Sequence, residues 1–111
     1  MLLAATLAAQ LLAAACLDRN VKVTNPLPPD VSEAWLKAHK PNGTVLLTVD
    51  VDAQGHVTSV TIKSATASLP DEFVKASVKA ARDSTYAPAM HDCKAVAGSY
   101  LFRVETKPDT P

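Results

Sequence analysis

Few side chains in this sequence have the types and spacing that chemistry requires. Asp50 and Asp52 are the nearest approach to a carboxylate pair for general acid and base work. Asp52, however, opens the turn Asp52-Ala53-Gln54-Gly55, where an aspartate accepts backbone hydrogen bonds and a glycine takes the positive φ that reverses the chain. The pair therefore reads as a solvated strand face and a turn cap. His39, His56 and His91 fall on a helix end, a turn and a loop. His91-Asp92-Cys93 is one local His/Cys pair, short of a structural zinc set, so exposed loop residues and no metal are expected. Ser77 and Ser84 lack the Gly-x-Ser-x-Gly setting of a nucleophile elbow. No catalytic residue, cofactor or small-molecule substrate is expected. A pocket with perturbed carboxylates would reopen the enzyme reading.

Two cysteines, Cys16 and Cys93, are the other reactive groups. Their environment depends on the segment before them. Met1 to Ala15 is dominated by Leu and Ala and carries no charge, and every charged residue lies from Asp18 onward. The run is short of the roughly 20 residues that span a bilayer and ends in Ala13-Ala14-Ala15, a small-residue cleavage pattern. Residues 1–15 are therefore expected to be a secretory signal peptide, although a positive n-region is missing. In an exported protein an even cysteine count favours a disulfide between Cys16 and Cys93, stapling the N-terminal arm (16–30) beside the last strand. The alternative lipidates Cys16. Leu12 stands one position too early for a good lipobox, and the anchor would leave Cys93 as a thiol in an oxidising compartment.

The elements that position these residues are legible from periodicity. Val45, Leu47, Val49 and Val51 alternate with Leu46, Thr48, Asp50 and Asp52, the period of two of a half-buried strand. Beyond the turn Val60 and Ile62 share a face with Val57 out of phase, which predicts a β-bulge near Thr58. Leu69 to Ser84 switches to helical spacing, with Phe73, Ser77 and Ala80 beside Val74, Val78 and Ala81 in one apolar stripe. Ser68 is the expected N-cap, Pro70, Asp71 and Glu72 suit the first turn, and Lys75, Lys79 and Arg82 lie outside. Tyr86-Ala87-Pro88 ends the helix and restarts an extended chain. Val96 to Thr106 alternates again, with Val96, Gly98, Tyr100, Phe102 and Val104 on one side and Leu101 and Arg103 on the other. A weaker helix, Val31 to His39, carries Trp35, whose burial is ambiguous, and ends at Pro41-Asn42-Gly43. The predicted order is α-β-β-α-β, an α+β domain over 31–106 with a three-stranded antiparallel sheet and two helices. Pro26-Leu27-Pro28-Pro29 is a stiff lead-in and 107–111 a frayed tail. The formal net charge of zero implies neither nucleic acid nor an anionic membrane as partner.

The order and spacing of these pieces resemble the C-terminal domain of TonB-type energy transducers. The resemblance rests on Gly43-Thr44-Val45, on Val49 through Gly55, on Val57 through Ser64, on the helix Asp71 to Arg82, on Tyr86-Ala87-Pro88-Ala89 and on Gly98 through Val104. It covers about Asn25 to Glu105. It implies a periplasmic protein-binding module associated with TonB-dependent transmembrane transport. In that family the last strand lies at a sheet edge and receives an extended peptide from an outer-membrane transporter, which makes Ser99, Leu101 and Arg103 the expected contact positions. The chain departs from the family in three features. It shows a cleavable-looking signal instead of an anchor, only a few residues of Pro-containing spacer, and no Tyr-Pro element before the first helix. A stand-alone secreted relative is therefore expected. The alternative is a disulfide-stapled envelope structural domain that self-associates into a homodimer through its edge strand.

Overall fold

A computed structural model describes residues 17–108. The expected signal peptide, Cys16 and residues 109–111 of the expected tail lie outside the described residues. In chain order the described elements are β1 (Lys22–Asn25), α1 (Glu33–His39), β2 (Gly43–Val51), β3 (Val57–Ala65), α2 (Asp71–Asp83), β4 (Thr85–Ala87), β5 (Ala89–His91), β6 (Lys94–Val96) and β7 (Gly98–Thr106). The main sheet is antiparallel with order β3-β2-β7. The predicted α-β-β-α-β pattern is α1-β2-β3-α2-β7, and the fold class is α+β.

β2 is the axis of the core. Val45, Leu47 and Val49 are wholly buried and Val51 nearly so, as its alternation predicts. Burying side chains of this size contributes about 1.5–3 kcal/mol each. The turn is built as expected: Asp52 Oδ1 accepts the Gln54 and His56 N–H groups, both at 2.9 Å. Gly55 has φ +87°, and a Cβ there would lie 2.8 Å from the Tyr86 carbonyl oxygen, so both conformation and space require glycine. At the other end of β2, Gly43 has φ +154° and a Cβ would meet the Thr66 side chain at 2.6 Å. Thr66 uses that space to hold Thr44: its Oγ1 accepts the Thr44 N–H at 3.0 Å.

The predicted bulge is present. Val51 faces Val57 while Asp50 faces Ser59, leaving Thr58 as the extra residue. The Thr58 hydroxyl donates to the Asp50 carbonyl at 3.2 Å. A second register shift, between Leu46 and Leu47 of β2, leaves Lys63 over. Val60 lies opposite Val49 and Ile62 opposite Leu47; Val60 is half-buried and Ile62 is 49% exposed.

α2 covers one face of the sheet with the predicted stripe. Phe73, Ser77, Ala80 and Ala81 are buried, while Val74 and Val78 pack around them. The small residues let the helix approach closely, and the buried Ser77 hydroxyl is satisfied by the Phe73 carbonyl at 2.9 Å. Its start differs from the expectation. Pro70, in extended conformation and without a side-chain cap bond, is the N-cap. Ser68 sits in a turn closed by the Leu69 N–H on the Thr66 carbonyl, because burying Leu69 demands a sharp inward bend first. α1 is capped by Ser32, whose Oγ accepts the Trp35 N–H at 3.0 Å. Trp35 is half-buried between the helices: it stacks on His39 (4.2 Å between centroids) and donates its indole N–H to Glu72 at 2.8 Å.

Two small sheets were not expected. β1 pairs with β4, and β5 with β6. Val96 thus ends β6, and β7 begins at Gly98. The arm folds onto the domain: Val21 is buried in the core, and Arg19 and Met90 exchange backbone hydrogen bonds at 2.9 and 3.0 Å. The proline lead-in is tied by the Leu27 N–H to Ser84 Oγ at 2.9 Å.

Candidate functional site

The main sheet has two outer strands, β3 and β7. β7 runs against β2 over all nine residues without a register shift, from Gly43 opposite Thr106 to Val51 opposite Gly98. Residues of a middle strand bond alternately to the two neighbours. Thr44 sets the phase, since its N–H and its C=O both engage Thr66 on the β3 side. Asp52, an even step away, donates its N–H to His56 on the same side. The odd residues Val45, Leu47, Val49 and Val51 therefore bond toward β7, where they face Val104, Phe102, Tyr100 and Gly98. The intervening residues Ser99, Leu101, Arg103 and Glu105 direct their N–H and C=O groups outward. Three of these four are the positions singled out from sequence.

Side chains at those positions are exposed and lie on the face opposite α2. Leu101 is half exposed, flanked by Ser99 and Arg103. Ser99 is held: its hydroxyl donates to Asp50 Oδ1 at 2.6 Å, while Ser59 on β3 donates to Asp50 Oδ2 at 2.6 Å. The two hydroxyls hold the Asp50 carboxyl below the usual carboxylate range, the Ser59 bond contributing most. Asp50 thus clasps all three strands. Arg103 Nε donates to Glu105 at 2.6 Å. Inward, Tyr100 lies edge-on to Phe102 at 6.4 Å and tilted against Tyr86 at 5.8 Å. Burial pushes the Tyr86 hydroxyl up to about 12, and it donates to the Ala81 carbonyl at 2.6 Å.

His91 has more structure around it than a lone loop residue. Its Nδ1 lies 3.0 Å from Asp18 and its Nε2 3.4 Å from Asp92, all three exposed. Asp18 also accepts the Asp92 N–H at 3.1 Å, which with His91 lowers its pKa. These ligand atoms lie within 4.8 Å of one another. The contacts they make tie the arm to the tip of the β5–β6 hairpin. Cys93 stands at that tip, in a turn where both Asp92 (φ 51°) and Cys93 (φ 64°) have positive φ. Sequence reasoning could not pair Asp18 with His91, because they are distant in the chain and neither belongs to a periodic segment.

Among the described residues no helix is long and apolar enough to cross a membrane. Comparison with curated proteins finds no match. The family model of the Gram-negative bacterial TonB protein C-terminal matches residues 36–106, from within α1 to the last residue of β7. With the sheet order, the two helices and this match in agreement, the chain belongs to the TonB C-terminal family, a family of protein-interaction domains and not of enzymes.

Proposed function

We propose that this chain is a periplasmic protein-binding module that takes an extended segment of an outer-membrane transporter as an added strand along β7. The observation that carries the reading is the regular outer edge of β7, with the main-chain groups of Ser99, Leu101, Arg103 and Glu105 directed outward. An incoming strand gains main-chain hydrogen bonds there, and the side chains of Ser99, Leu101 and Arg103 set its specificity. A photo-crosslinking residue at Leu101, activated in the periplasm, is expected to capture a transporter. Capture of the chain itself alone would favour the self-associating envelope domain, and capture of nothing would count against both. Leu101→Pro is the matching variant: it removes an outward N–H and no ladder bond, so it is expected to abolish capture in a folded protein.

The arm reading extends to a disulfide between Cys16 and Cys93. Its support is that Asp18 and Arg19, just after Cys16, are bonded to Met90, His91 and Asp92, just before Cys93. A bridge closing so long a loop stabilises by roughly 2–4 kcal/mol. Intact mass of the exported protein is expected to rise by about two daltons on reduction. An acyl-sized increment would instead place a lipid on Cys16 and remove the bridge.

A further inference from the structure

A groove of about 260 Å³ lies where α1 ends and β7 runs out. Leu36 and Pro41 supply apolar walls, and Lys37, Lys40 and Lys107 stand around it with a single carboxylate, Glu33. Thr106 belongs both to β7 and to the groove lining. Its hydroxyl donates to the Pro41 carbonyl at 3.5 Å, so edge and groove form one continuous surface. Lys37 has Glu33 at 3.7 Å, a well-exposed pair. Among the described residues no carboxylate lies within 4.0 Å of Lys40 or Lys107. The whole chain has zero formal net charge, so this cationic excess is local and does not reflect a generally basic protein.

We propose that the groove receives an acidic end of the same extended segment that pairs with β7, an inference that rests on the edge-pairing reading. Three ammonium groups set close together against one carboxylate leave a local positive potential that attracts carboxylates and selects partners by charge. Spacing constrains the ligand. Leu101 to Thr106 is five strand steps, about 17 Å at roughly 3.3–3.4 Å per residue. The acidic residues therefore stand about five or six positions from the one beside Leu101.

The test uses the purified chain and fluorescent peptides of alternating Val and Thr, carrying Asp-Asp-Asp at the N-terminal end, Asp-Asp-Asp at the C-terminal end, or Asn-Asn-Asn at the same places. By anisotropy at low salt, one of the two acidic peptides is expected to bind about tenfold tighter than its Asn counterpart, an advantage that shrinks as salt rises. The favoured end gives the direction of the added strand. In the combined variant Lys37→Gln, Lys40→Gln, Lys107→Gln, with an unchanged melting curve, that advantage is expected to vanish while the Asn peptides bind as before. Equal binding of acidic and Asn peptides to the native chain overturns the groove, as does an advantage that survives the lysine substitutions. Both results leave the edge standing. Binding that persists in Leu101→Pro, or no binding of any peptide to the native chain, overturns the edge reading and this one with it.

Discussion

The outer strands β3 and β7 flank the same central strand, are equally long, and differ in what a passing chain would meet. β3 carries two bulges, at Thr58 and Lys63, and each interrupts the regular spacing of outward main-chain groups. Natural sheets use such bulges, and lysine, to discourage edge-to-edge pairing. β7 has neither defence over its nine residues: the register is unbroken, and a half-exposed leucine stands at its middle. One edge is interrupted and the other regular. The asymmetry teaches that the two outer strands of one sheet are not equivalent edges: bulges that discourage pairing interrupt one and are absent from the other.

The contrast can be broken most sharply within β7 itself. Phe102→Pro removes a ladder donor facing β2 and a buried ring, and is expected to cost about 4 kcal/mol or more, enough to prevent folding. Leu101→Pro, one residue away, is expected to cost about 1 kcal/mol in urea melts, since its N–H faces outward. Equal losses for the two would remove the assigned orientation of β7. Leu47→Ala, at the wholly buried axis both edges share, is expected to lose about 3 kcal/mol in the same melts without changing which edge pairs.

Deleting Lys63 tests the other edge. It straightens β3, and light scattering is expected to show association that grows with concentration and persists when Leu101→Pro is added. A monomer at all concentrations would mean that the bulge does not guard this edge.

Smaller effects come from the groups that tie the edges to the core. Tyr86→Phe leaves the buried Ala81 carbonyl without its donor and is expected to cost about 1–2 kcal/mol. The native Tyr86 holds its proton to about pH 12, whereas the unfolded chain releases it near 10.0. Its stabilising contribution is whole below pH 10.0 and is lost as pH rises toward 12. Melts across that range are expected to fall more steeply for the native protein than for Tyr86→Phe. The smallest effect is that of Asp50, whose pKa is lowered. Its contribution is present above 3.8, the ordinary value, and fades as pH falls below it. Asp50→Asn is expected to flatten the acid limb of the melt slightly.

Much of this architecture could be read in the residues because burial on one face imposes a phase. The alternation of β2 and β7, the stripe of α2 and the Asp52 turn all follow from it. So does the Thr58 bulge, since Val57 is apolar and out of step with Val60. The Lys63 bulge left no such mark: Lys63-Ser64-Ala65 contains no large apolar residue whose phase could slip. β1, β4, β5 and β6 are three or four residues long, too short to display a period, and contacts remote in sequence set them. Ser68 misled as a cap because propensity cannot weigh the burial of the neighbouring Leu69. On β7, sequence singled out Ser99, Leu101 and Arg103 as outward positions, but the direction of their main-chain groups required the phase set by Thr44.

The two side-chain ties on β7 have a mechanical meaning. Ser99 is fastened to Asp50 near one end of the strand, and Thr106 to the Pro41 carbonyl at the other. A load applied along the strand shears the whole β2–β7 ladder together, whereas a load across it would unzip the ladder one bond at a time from an end. A side-chain contact stands near each end, where unzipping would begin, so both add resistance to the weaker mode, and a lengthwise load meets the stronger one.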